Sequence, residues 1–258
     1  MYRSLIILSL PLIFIACSKE NSSPEETPVD NPVQPVDTSH TNTVTSYYTG
    51  NIDSLPKFVR ISYMEFDSIG RVSTFRSGVG HDFSDDFEFC RSMKHYFEPR
   101  NFHIANVNIN IYNPFRTTVE RIIQEWAGSQ IYLVSTEYPF LTARIFHVNL
   151  NAGINTGDTL SEGFLLGTHI GNMTSSDIAI TVLTPTDGPK DSTNSQSGIR
   201  FASYFSIMTD SLFQRFSMRG LNMDSVIISA EKRDSFPLNC NNGAFSDPGT
   251  INNWITLQ

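Results

Sequence analysis

The chain has 258 residues, of which 40% are hydrophobic and 12% aromatic, enough to build the core of one large domain or two small ones. Its formal net charge is −8 and it contains no run of Lys or Arg. That balance argues against nucleic acid as a partner and against electrostatic docking on anionic lipid.

The first residues carry an address. Arg3 and the free amino terminus form a short positive region, and Leu5 to Ala16 is an uncharged apolar run. At about twelve residues the run suits a secretory h-region and is too short to span a bilayer as a helix. It ends Phe14-Ile15-Ala16-Cys17, a small residue followed by a thiol that can be acylated. This pattern resembles the lipobox of bacterial lipoproteins, with Phe14 where Leu is usual. The resemblance implies removal of residues 1–16 and lipidation of Cys17, whose acyl chains each contribute about 0.8 kcal/mol per buried CH₂. Ser18-Lys19-Glu20 and Glu25-Glu26 are similar to the surface-export signals of Bacteroidetes lipoproteins. The implied place is the outer membrane, on its periplasmic or cell-surface face.

Residues 17–45 follow as the acylated Cys and a tether. Pro24, Pro28, Pro32 and Pro35 recur among Ser, Thr, Asp and Glu, with no aromatic residue before Tyr47. Such a segment buries too little apolar surface to offset its ordering entropy. Residues 46–258 are then expected to form one globular domain.

In that domain Lys57 to Phe66 reads as a strand with Val59, Ile61 and Tyr63 on one face. Asp67-Ser68-Ile69-Gly70 reads as a turn, and Arg71 to Arg76 as the returning arm of a hairpin. Ser84 to about Glu98 reads as a helix, with Phe83, Phe87, Cys90, Met93 and Phe97 on one stripe and acids at its start. Ala105, Val107, Ile109 and Ile111 alternate with Asn and predict a strand. Thr117 and Glu120 have capping-box spacing, so a second helix is expected with Val119, Ile122, Ile123 and Trp126 buried and Gly128 as its stop.

From Gln130 onward the expected elements are strands, near Ile131–Ser135, Thr142–Leu150, Asp177–Leu183, Ile199–Ile207, Ser225–Glu231 and Trp254–Leu257. Gly163-Phe164-Leu165-Leu166-Gly167 reads as strand and turn. The expected class is mainly β (α+β): a β-sandwich-like domain with two short helices, preceded by a signal peptide and a disordered tether. Asp177 to Val182 and Gly198 to Ala202 resemble paired strands of small uncharacterised β-sandwich lipoproteins of Bacteroidetes, a likeness that implies no activity.

Chemistry is sparse. No nucleophile elbow, phosphate loop, dinucleotide fingerprint or metalloprotease helix is present, and nothing calls for a cofactor. Asp82, Asp85, Asp86 and Glu88 beside His81 can be read as oxygens for a divalent cation or as acids favourable at a helix start. His95, His103, His147 and His169 share no ligand spacing. Cys90 and Cys240 can pair outside the cytoplasm, or Cys90 can pack as a free thiol on its apolar stripe.

One pattern recurs: Asp, then Ser or Thr, then a small or aliphatic residue. Within residues 46–258 it occurs at Ser54, Ser68, Thr159, Ser192, Ser211 and Ser225, each preceded by Asp. It resembles the O-glycosylation acceptor of exported Bacteroidetes proteins, and it is also ordinary turn and cap chemistry. If these residues are acceptors, at least the first four must face solvent.

Two functions compete. One is a non-enzymatic binding or structural module, held to the membrane by its lipid and taking a protein or glycan ligand. The other is an extracytoplasmic hydrolase or carbohydrate-active enzyme. A concave pocket with two facing carboxylates, or a His within reach of a Ser, favours the enzyme.

Overall fold

A computed structural model describes residues 46–85, 87–103, 108–171, 174–185 and 198–258. Residues 1–45, which hold the expected signal peptide, Cys17 and the expected tether, lie outside the described residues, as do Asp86, Ser192 and residues 104–107 of the strand expected at Ala105 to Ile111.

The chain is mainly β, as its composition and patterning predict. Eleven strands form one sheet, and every pairing between them is antiparallel. Along its main path lie β13 (Trp254–Thr256), β1 (Ile69–Ser73), β2 (His95–Pro99), β9 (Ser176–Leu183), β6 (Leu141–Leu150), β5 (Gly128–Ser135), β4 (Thr117–Glu125) and β7 (Thr159–Leu160). Off this path β10 (Ile199–Ala202) pairs with β9, and β8 (Leu165–His169) pairs with β6 and with β3 (Asn110–Tyr112). A separate ribbon is made by β11 (Cys240–Asn241) and β12 (Ala244–Phe245). Three short helices lie between β10 and β11 in the chain: α1 (Asp210–Ser217), α2 (Met223–Val226) and α3 (Ala230–Ser235).

The strands expected near 131–135, 142–150, 177–183 and 254–257 form where β-branched and aliphatic residues are dense. Their apolar residues seal the core: Ile131, Leu133, Ile145, Ile178, Ile180 and Val182 are fully buried. An aromatic nucleus lies beside them. The Tyr63 ring meets Phe97 edge-on at 4.9 Å, and Phe205 meets Phe216 edge-on at 5.3 Å. The Tyr204 hydroxyl donates to the Ile61 carbonyl and accepts from the Tyr63 N–H, so this buried phenol is satisfied.

Several expectations are corrected. Residues 117–125 form strand β4, not a helix. Thr117, Thr118, Val119, Ile122 and Ile123 are β-branched and fit a pleated surface, and the Thr117 hydroxyl bonds the Asn113 side chain instead of capping a helix. Trp126, expected in the core, is 93% exposed at the tip of the β4–β5 hairpin. Gly128 turns the chain there with φ +87°, where a Cβ would lie 2.5 Å from Ile170 and 3.0 Å from the Val148 carbonyl oxygen.

No helix forms over 84–98 either, among the residues described. Asp85 accepts from the Phe87 and Glu88 N–H groups, and Asp82 accepts from Ser84 and the Arg91 N–H. These local bonds compete with a helical ladder, and the segment enters β2 at His95. Phe87, expected on a buried stripe, is half-exposed.

Residues 57–66 are extended chain with isolated bridges at Val59 and Met64, and β1 pairs with β2 and β13, so the expected hairpin is not made. The strand expected at 225–231 is the end of α2 and the start of α3. The strand expected at 199–207 stops at Ala202 and continues as a 3₁₀ turn, Tyr204–Ile207.

Candidate functional site

Two turns of the same local sequence face a common cavity. Asn51-Ile52-Asp53-Ser54-Leu55 and Asn222-Met223-Asp224-Ser225-Val226 both read Asn, apolar, Asp, Ser, aliphatic. In each the Asn side chain accepts from the Asp N–H, at 3.0 Å for Asp53 and 2.8 Å for Asp224, and so starts a short helical turn. Leu55 and Val226 anchor the far ends in the core.

The cavity between them is about 230 Å³. Ile52, Met223, Phe75, Phe201 and Ile227 line it with apolar surface, and Ser203 and Ser206 with hydroxyls. Phe75 is fixed by backbone bonds to both sides of Ile227: its N–H donates to the Val226 carbonyl and its carbonyl accepts from Ile228.

Charge at the cavity is one-sided. Arg76 lines it, but its Nε and Nη2 donate to both Glu88 carboxylate oxygens at 2.6 and 2.7 Å, and its Nη1 donates to the Ile228 carbonyl. Burial pushes the Glu88 carboxyl up, but Arg76 and Arg91 outweigh it and hold the group below the usual range. Asp53 and Asp224 are exposed, and among the described residues neither has a cationic partner within 4.0 Å.

Among the described residues, Ser203 makes the one side-chain contact between a serine and a histidine. Its Oγ lies 2.7 Å from His95 Nε2, while His95 Nδ1 lies 2.8 Å from the Ser73 carbonyl oxygen. The carbonyl can only accept, so Nδ1 bears the proton and Nε2 accepts from the serine. Burial pushes the imidazole down to about 4, although its bond to Ser73 works the other way. The same Oγ also accepts from the Phe205 N–H as the cap of a 3₁₀ turn. A base this weak near neutral pH, joined to a hydroxyl already used as a cap, is arranged for structure more than for proton transfer.

Elsewhere Lys94 and Asp177 form a sealed ion pair, Nζ to Oδ2 2.7 Å, with side chains 3% and 1% exposed. The ammonium also faces the rings of Phe146, Tyr96 and Phe83 at 4.4, 4.7 and 5.0 Å. His147 Nε2 stands 3.6 Å from Asp177 Oδ2. Burial pushes this imidazole down, but the bond and the charge of Asp177 outweigh it, so its affinity for a proton rises.

Of the residues singled out in the sequence, Asp82, Asp85 and Glu88 bind backbone N–H groups and guanidinium groups. Among the described residues no group of three or more His, Cys, Asp or Glu side chains is placed to hold a metal ion. Cys90 and Cys240 are joined by a disulfide, Cα to Cα 5.6 Å.

Ser54, Thr159, Ser211 and Ser225 are exposed, whereas Ser68 is half-buried. Ser211 and Ser225 lie in α1 and α2. The cavity was not foreseen. The signal available for it was the repeated Asn two places before Asp53 and Asp224.

No protein-family model matches the chain, and no curated protein matches it. Among solved structures, similarity is found to lysostaphin in solution (12% identity, TM-score 0.30, covering 44% of this chain and 46% of that one). It is also found to the catalytic domain of the antimicrobial peptidase lysostaphin from Staphylococcus simulans (13%, 0.31, covering 49% and 88%). A third match is to the SpoIIQ–SpoIIIAH pore-forming complex (7%, 0.40, covering 65% and 100%). The chain thus spans about half the length of the first of these. Likenesses this low carry no functional argument.

Proposed function

We propose that the protein is an exported lipoprotein, anchored in the outer membrane through a lipid on Cys17, whose β-rich body serves as a binding module. The observation that supports export is the Cys90–Cys240 disulfide, since such bonds persist in oxidising compartments and are rare in the cytosol. The cavity between the two Asn-capped turns supports binding: it is concave and largely apolar, with a few convergent polar groups. Replacing Cys17 with Ala tests the anchor. The variant is expected in the soluble fraction and the wild type with membranes. An unchanged membrane association would overturn the reading.

The second reading, an extracytoplasmic hydrolase or carbohydrate-active enzyme, is favoured by the Ser203–His95 contact and by the two carboxylates on one cavity. The binding reading is preferred on two grounds. The His is held far from the pH at which it would act as a base. Asp53 and Asp224 are both exposed to solvent and do not form a buried facing pair.

A further inference from the structure

We infer that the cavity between the turns at Asp53 and Asp224 binds a small organic cation, an ammonium carried on a compact apolar body. The inference rests on the reading of this cavity as a binding site and adds the class of ligand.

The apolar part follows from the walls. Phe75, Phe201, Ile52 and Met223 offer surface that an apolar group would remove from water. The size follows from the volume: about 230 Å³ is below the usual range for drug-sized ligands, so the body is a single ring or a short branched chain.

The charge follows from a balance of named groups. The one guanidinium lining the cavity, Arg76, is neutralised by the bidentate carboxylate of Glu88. Asp53 and Asp224 have no such partner among the described residues, and each turn that holds one also supplies an apolar wall residue. The local charge left over is therefore negative, from two chain segments at once. An ammonium gains from it, a neutral isostere does not, and a carboxylate is repelled. The Ser206 hydroxyl, whose proton goes to the Ser203 carbonyl, adds an acceptor oxygen to the lining.

The test uses the full chain in detergent and three probes built on one phenethyl body: phenethylammonium, phenethyl alcohol and hydrocinnamate. Affinities are read by calorimetry or ligand-observed NMR at low salt. The order expected is ammonium tightest, alcohol weaker, carboxylate weakest. Asp53→Asn and Asp224→Asn should each weaken the ammonium by up to about fivefold and leave the alcohol unchanged. Both sites are exposed, so folding should survive, which near-UV circular dichroism checks. Ile52→Trp, which fills the cavity from its rim, should abolish binding of all three probes.

Equal affinity for the three probes would overturn the cation while leaving a binding cavity. Ammonium binding that survives Ile52→Trp would place the ligand elsewhere and overturn the site. Failure of all three to bind would overturn the cavity reading itself and the cation with it.

Discussion

Lys94 and Asp177 are sealed from water on β2's approach and on β9, and each is the other's compensation. Removing Asp177 leaves the ammonium buried without its counter-ion, and removing Lys94 leaves Asp177 facing the partly exposed His147 at 3.6 Å in place of a sealed ion pair. Lys94→Met is therefore expected to cost about 3–5 kcal/mol in urea unfolding, and Lys94→Met combined with Asp177→Asn distinctly less. Additive losses would show that the two charges are not coupled. His95 makes a second prediction at this scale. Its folded-state pKa is about 4, below the ordinary 6.5, so the unfolded chain binds the proton more tightly. Its contribution is fully present above pH 6.5 and is lost as pH falls from 6.5 toward 4, by about 3 kcal/mol in all. His147 has the opposite sign. Its raised pKa gives a contribution present at low pH and lost as pH rises through the folded value. In His95→Gln, stability followed by urea unfolding between pH 7 and pH 4 should fall less steeply than in the wild type. An unchanged slope would locate the acid sensitivity in other groups.

At the scale of elements, the disulfide ties the loop before β2 to the β11–β12 ribbon. Cys90 sits with φ +56° in that loop, where Asp82, Asp85, Glu88 and Arg91 already fix the backbone and its side chains. The bond closes 150 residues, and the chain-entropy account assigns it about 5 kcal/mol. Cys90→Ser and Cys240→Ser are expected to lower unfolding stability by most of that amount, each alone and not additively, since either removes the same bond. Two losses that add would mean that the cysteines act separately. The hairpin of β4 and β5 is the clearest contrast with local pattern. Its sequence has helical spacing and a capping box, yet Thr118, Val119, Ile122 and Ile123 pair with β5. Pairing with a neighbour already in the sheet satisfies the backbone and outweighs a weak local preference.

For the whole molecule, the described Asp-Ser and Asp-Thr triplets lie in different elements but share one pattern of burial. The residue after each is buried: Leu55, Ile69, Leu160, Leu212 and Val226. Each described triplet is thus a point where the chain turns from solvent into the core, which accounts for Asp and Ser without any sugar. It also leaves Ser54, Thr159, Ser211 and Ser225 with exposed positions, where a glycan has room. Protein from its own host is expected to carry extra mass beyond that of the proposed lipid, on peptides containing these four, and protein made in a cytoplasmic expression system is not. Equal masses would leave the triplets as turns alone. Ser54 and Ser225 are of most interest, because both adjoin the acids of the cavity.

Local sequence by itself determined the β class, the strands at 131–135, 142–150, 177–183 and 254–256, and the turns at Asp53-Ser54 and Asp67-Ser68. Each depends on neighbours within a few residues: β-branched runs that fit a pleat, or side chains that bond their own backbone. Only the tertiary structure decided which strands meet, and it placed β1 between β2 and β13 instead of against residues 57–66. It also turned two expected helices into a braced loop and a strand. The cavity belongs to the same class. Its two turns were legible as separate triplets, but nothing local states that Asp53 and Asp224 face one space. That follows from Phe75, the residue two places beyond β1, bonding to both sides of Ile227, a long-range contact that hydrophobic burial selects and that no short window of sequence contains.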